Sequence, residues 1–216
     1  CFEQALSTAP DEVTYLTGRA LVLMELDELD LARADLTHAL QIDEDDPTLR
    51  GYRGEVHILL GDLKAAAQDL ERALEAAPDE GEYALSLARL RTVSGDVPGA
   101  LAIIDIAVDD GDELGLEALL LRSHLRLLSG QSQPARADAI RASNLFSDVA
   151  FSFVQLAHVE LAEGNLRLAE KAAERAVLLD PSLSDADLVR GAAHQMAGKN
   201  EAAKEDFQRA QQAPAE

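Results

Sequence analysis

Tryptophan is absent from this 216-residue sequence, and aromatic residues make up only 4% of it. Few side chains are therefore available to stack on nucleobases. Basic residues are also scarce: 19 Lys+Arg stand against 40 Asp+Glu, and the formal net charge of −21 repels phosphate backbones and anionic lipid surfaces. Both shortages argue against nucleic acid as a partner. A single cysteine excludes an internal disulfide framework and any multi-cysteine metal site. No apolar run approaches the roughly 20 residues of a membrane helix, and no charged-then-apolar signal segment opens the chain, so membrane insertion is not expected. Phosphate-cradling glycine patterns, a Gly-x-Ser-x-Gly elbow and a His-Glu-x-x-His pair are all missing. No enzyme, catalytic residue or cofactor is therefore expected.

What is present is a 47% hydrophobic content, ample for a packed core, and a skewed charge usage of 15 Arg to 4 Lys. That skew suits a prokaryote of high genomic GC or a salt-loving organism, in which an acidic surface serves solubility. An acidic ligand-binding surface is the alternative. Two acidic clusters, Asp43-Glu44-Asp45-Asp46 and Asp109-Asp110-Gly111-Asp112-Glu113, lack the alternate spacing of a calcium loop. They read as solvated junctions.

The strongest signal is self-similarity. Ala5, Ala39, Ala73, Ala107, Ala142, Ala176 and Ala210 are separated by 34, 34, 34, 35, 34 and 34 residues. A parallel column holds Ala32, Ala66, Ala100, Ala135, Ala169 and Ala203. Another holds only small residues: Ala20, Gly54, Ala88, Ser123, Ala157 and Gly191. A fourth holds Gly61, Gly95, Gly130, Gly164 and Gly198, with Asp27 in its first slot. Small side chains let helix backbones approach closely, and the glycines supply sharp turns before cap residues such as Asp62, Asp96 and Asn165. An amphipathic stretch on either side of each glycine, such as Tyr83 to Ser94 and Val97 to Val108, makes every unit a helix pair.

A 34-residue helix-turn-helix unit with small residues in these places resembles the tetratricopeptide repeat, over essentially the whole chain. The stretches Gly61 to Pro78 and Ala157 to Pro181 carry the resemblance best. The frequent Trp and Tyr of the family's first helix are replaced here by residues such as Leu16, Arg50 and Phe153, and by Leu23, His57 and Arg126. The resemblance implies an all-α fold, an α-α superhelix in the form of a right-handed solenoid of stacked helix-turn-helix repeats. Units are expected at 13–46, 47–80, 81–115, 116–149, 150–183 and 184–216, as one continuous solenoid domain. Residues 1–12 align with the second half of a unit, so the chain is expected to begin inside a truncated repeat. A lipidated Cys1 is the sharper alternative. Gln211, where units usually carry Leu or Val, as in Leu40, Leu74 and Val177, suits a water-facing last helix.

In such arrays the first helix of each unit lines a groove. By that resemblance Leu85, Leu120 and Val154 line it, followed one turn along by Arg89, His124 and His158, and then by Thr92, Leu127 and Leu161, with Phe151 at the near edge. Apolar anchors beside cationic or titratable donors suit an extended or helical peptide carrying an acidic or C-terminal carboxylate group. The alternative is that these Leu and Val side chains complete inter-unit packing. The Lys and Asn clamp by which some members hold chaperone C-termini is missing. His124 and His158 fall on neighbouring helices without a third ligand, so no metal site is expected.

The expected function is a non-enzymatic scaffold holding a protein or peptide partner. A periplasmic scaffold module of bacterial envelope polysaccharide export, whose acidic surface attracts a cationic polymer, is one alternative. The regulatory region of a longer enzyme is another. Bacterial cytoplasm and periplasm both remain open, as does the oligomeric state.

Comparing the units with one another adds one further expectation. Arg19, Arg53, Arg122 and Arg190 share a first-helix column, and Asp35, Asp69, Asp138 and Asp206 lie 16 residues later. The two units without the Arg also lack the Asp, carrying Leu87 with Ile103 and Leu156 with Ala172. These columns are expected to face each other as structural ion pairs rather than form an anion site.

Overall fold

The computed structural model describes residues 2–108 and 113–212. Among them are thirteen α-helices and no strand: α1 (Phe2–Thr8), α2 (Val13–Glu25), α3 (Leu29–Ile42), α4 (Pro47–Leu59), α5 (Leu63–Ala76), α6 (Gly81–Val93), α7 (Val97–Ile104), α8 (Glu113–Leu128), α9 (Ser132–Leu145), α10 (Ala150–Ala162), α11 (Leu166–Leu179), α12 (Ser184–Met196) and α13 (Asn200–Gln212). The even-numbered helices are the first members of the expected pairs and the odd-numbered ones the second. The fold class is thus the α-α solenoid read from the sequence. No described helix is long and apolar enough to cross a membrane.

The pair formed by α4 and α5 shows how the sequence builds a unit. Asp46 accepts hydrogen bonds from the backbone N–H groups of Thr48 (2.7 Å) and Leu49 (3.3 Å), and Pro47 supplies a helical φ at the first turn. Gly61 then takes φ +77°, which closes the Gly61 N–H onto Ile58 (3.0 Å) and the Asp62 N–H onto His57 (2.9 Å). Asp62 immediately caps α5 through the Ala65 N–H at 3.1 Å. Where the pair closes, Gly54 is obligatory for a different reason: a Cβ there would lie 2.9 Å from Leu70 Cγ. Ala20, Ala88, Ser123 and Ala157, in the same column, are fully buried.

Asp27 fills the turn slot of the first pair at φ +61°, the one non-glycine residue with positive φ among the described residues. A Cβ in this region costs about 1–2 kcal/mol, less for Asp than for most residues. Asp27→Gly should therefore raise stability, by up to about 1 kcal/mol, in urea unfolding; an unchanged or lower midpoint would show that the Asp27 side chain offsets its backbone.

Packing divides the chain after Ala107 into two compact units, 1–107 and 108–216, where the sequence reading runs one continuous domain. In the first, Leu16, Leu36, Leu40, Leu49 and Val56 surround the buried alanines Ala20, Ala32 and Ala39. In the second, Val154, Leu183 and Val189 enclose Ala157, Ala172, Ala173 and Ala176. The division falls beside an irregular helix. α7 was expected to run on to Val108 but stops at Ile104 and finishes as a 3-10 turn, Asp105–Ala107. Asp105 places negative charge at the negative end of the helix dipole, which disfavours a further α turn. The second acidic cluster lies outside the described residues from Asp109 to Asp112.

Candidate partner-binding surface

The Arg and Asp columns do face each other. Arg19 donates from Nε and Nη2 to Asp35 at 2.6 Å each, Arg53 to Asp69 at 2.7 Å each, and Arg122 to Asp138 at 3.0 and 2.6 Å. Arg190 donates to Asp206 Oδ1 at 3.1 and 2.8 Å. All four carboxylates are buried. These arginines tie the two helices of a pair together and leave the surface chemistry to other residues.

In the first unit Leu85 is only 3% exposed. This corrects its placement as a groove contact, since packing withdraws it from solvent. Thr92 is half-buried and its hydroxyl donates to the Ala88 carbonyl at 2.7 Å, so its polar atom serves the helix. Arg89 is exposed. It borders a cleft of about 360 Å³ with Met24, Ile58, Leu59, Leu63, Leu90 and Val93, beside Glu55 and Ser86. Desolvation in that setting, reinforced by the nearby Glu82, raises the Glu55 carboxyl above its ordinary value of 4.5.

In the second unit His124 and His158 are exposed on α8 and α10, Phe151 is 47% exposed, and Leu120, Leu127 and Leu161 are half-buried. Val154 is 5% exposed and belongs to the core with Ala157 and Leu183, a second correction with the same physical reason. Although the His158 ring reaches solvent, the helices around it remove enough water to lower its pKa below 6.5; His124 pushes the same way and Asp185 opposes both. No group of three His, Cys, Asp or Glu able to hold a metal ion occurs among the described residues.

The most open apolar column escaped the sequence reading. Leu59, Val93, Leu128 and Met196 occupy one slot in four units and are 60%, 76%, 59% and 58% exposed. The signal was available as a repeated large apolar residue just before the turn, where a helix ends and solvent begins.

His57, on α4, is half-buried. Burial lowers its pKa below 6.5, despite the opposing pull of Asp69 and Asp62, and its buried Nδ1 has no hydrogen-bond partner. The folded protein thus protonates His57 and His158 less readily than the unfolded chain, and their contribution to stability, present above pH 6.5, is lost as pH falls below it. Thermal unfolding should shift to lower temperature on going from about pH 7 to about pH 5.5, and less steeply in His57→Gln/His158→Gln. Parallel profiles for the two proteins would contradict the assignment.

Two tetratricopeptide repeat family models match the sequence, one over residues 13–46 and one over residues 52–115. No curated protein matches it significantly. Among solved structures, a tetratricopeptide repeat protein from Parabacteroides merdae superposes with a TM-score of 0.81 at 19% identity, over 94% of this chain and 80% of that one. PilW, a type IV pilus biogenesis factor, gives 0.78 at 21% identity over 90% of each chain. YrrB, described as having an unusual peptide-binding site, gives 0.71 at 21% identity over 86% of this chain and 95% of that one. At these identities the likeness is one of fold. With the helix pairs, the 34-residue columns and the two model matches in agreement, the chain is a member of the tetratricopeptide repeat family.

Proposed function

We propose that this protein is a non-enzymatic scaffold that binds a peptide or helix of a protein partner on the exposed face of its first-type helices. The cleft of the first unit is its main anchoring site. The observation that carries this reading is the cleft itself: in an acidic chain, Leu59 and Val93 stand more than half exposed around an apolar hollow that also takes in Met24, Ile58 and Leu63. Contiguous exposed apolar surface of this kind marks interaction sites. Apolar side chains spaced along a partner helix would fill the hollow, each buried Leu- or Val-sized group contributing roughly 1.5–3 kcal/mol. Arg89 and Glu55, at the edge, present one charge of each sign and orient the partner rather than drive its binding. In the second unit Phe151, His124 and His158 provide a smaller surface of the same type.

The test is selection of a random library of peptides about 16 residues long on the full chain, followed by measurement of affinity. Binders should carry large apolar residues at helical spacing, and should lose affinity for Leu59→Glu/Val93→Glu. Binders that ignore this variant would remove the cleft from the account.

A further inference from the structure

The second unit holds a cleft that the first-helix face does not include. It is formed by α9, α10 and α11, measures about 420 Å³, and has an apolar floor of Ile140, Phe153, Leu156 and Ala172, with the half-exposed Leu168 at its edge. Its origin lies in the pairing columns. Four repeats carry an Arg–Asp pair at this position, and in the second of them the equivalent hollow is lined mainly by polar side chains, among them Arg50, Arg53 and Arg72; the third carries Leu87 and Ile103, which pack with Leu70 and Leu90. The fifth has Leu156 and Ala172. Ala is three carbons smaller than Ile, and the volume it gives up remains open.

The rim is cationic in a chain where cations are scarce. Arg136, Lys171 and Arg175 border the cleft, against one carboxylate, Glu160. Glu160 is buried and both its oxygens are engaged: Oε1 accepts from Arg136 Nε at 2.8 Å and Oε2 from Asn165 Nδ2 at 2.8 Å. The Arg175 guanidinium lies 5.8 Å from the Phe153 ring centre, and its Nη2 donates to the Ser147 carbonyl at 3.3 Å. Lys171 and Arg175 are both exposed, and neither forms an ion pair among the described residues. Two cations without carboxylate partners thus stand over an open apolar floor, in a protein with twice as many acidic as basic residues.

We propose that this cleft binds an acidic peptide segment bearing one large apolar side chain. The side chain fills the space above Ala172 against Phe153, Leu156 and Leu168, and the flanking carboxylates pair with Lys171 and Arg175. Apolar burial supplies the anchor, and the charges select acidic sequences and speed encounter.

The experiment selects a random phage-displayed library of peptides about 12 residues long on the full chain, and measures the binders by fluorescence anisotropy. Sequences with Asp or Glu on either side of Leu, Met, Phe or Trp should emerge, and their affinity should fall with added salt. Ala172→Ile should weaken them by about tenfold or more. The third unit already accommodates that Leu–Ile pair, so this variant restores a packing the fold uses. Lys171→Glu/Arg175→Glu, which alters only exposed side chains, should weaken them comparably. Leu59→Glu/Val93→Glu should leave them unchanged, so this site and the first-unit cleft stand or fall separately. The proposal is overturned if no acidic binders emerge, or if their affinity is the same for Ala172→Ile and the charge-reversed variant. It is also overturned if Ala172→Ile abolishes self-association of the unliganded chain, which would assign the cleft to a second copy.

Discussion

Replacing Asp69 with isoleucine alone should destabilise the protein by about 3–5 kcal/mol, whereas Arg53→Leu and Asp69→Ile together should cost far less. The asymmetry follows from burial. Asp69 is 5% exposed and accepts two hydrogen bonds from the Arg53 guanidinium, while Arg50 Nη1 lies 4.0 Å from it and His57 Nε2 3.8 Å. Removing the carboxylate leaves Arg53 largely buried beside an apolar side chain, with only a 3.4 Å bond to the Thr37 hydroxyl in compensation. Arg50 is less affected, because its Nη2 still donates to the Glu44 carbonyl at 2.5 Å. The double substitution installs the Leu–Ile pair of the third unit, where Leu87 is 1% exposed and Ile103 packs beside it. Urea unfolding of the wild type, both single variants and the double variant measures the coupling, which should reach about 1–3 kcal/mol. Additive costs would mean that the columns meet without depending on each other.

Leu59→Glu together with Val93→Glu should weaken binding of an apolar-anchored partner by at least about 100-fold, equivalent to about 2.7 kcal/mol. The change buries a carboxylate against the partner, or holds the partner away, at the two most exposed apolar positions of the first-unit cleft. Because both side chains already face solvent, stability should change by no more than about 0.5 kcal/mol, so lost binding with an unchanged unfolding midpoint isolates the surface. Retained binding would show that the partner docks elsewhere.

These two expectations differ in how far the sequence alone could reach them. The Arg–Asp ladder was readable because the units supply their own comparison: charge appears in both columns or in neither. Helix number and order were readable for the same reason. Surface exposure was not. Leu85, Val154 and Leu188 share one column, yet Leu85 and Val154 are buried while Leu188 is 44% exposed. A period fixes which face of a helix a residue occupies, but the neighbours that cover it differ from unit to unit. The shortening of α7 was signalled only by a spacing of 35 in place of 34 and by acidic residues at a helix end. The cleft beside Ala172 owes its apolar floor to Leu156 and Ala172 standing where other repeats carry Arg and Asp, and an apolar pair read as a pattern does not show whether it fills its space.

The most direct test of the central claim, that partners are held on the first-helix face, is a methyl-labelled NMR spectrum of the full chain. It would be titrated with a peptide of the apolar-anchored class selected on the wild type. The account predicts shifts of the Met24, Ile58, Leu59, Leu63 and Val93 methyl signals, while those of the fully buried Leu119 and Leu125, in the other compact unit, stay in place. Saturable binding that leaves all five surface signals unmoved would contradict it.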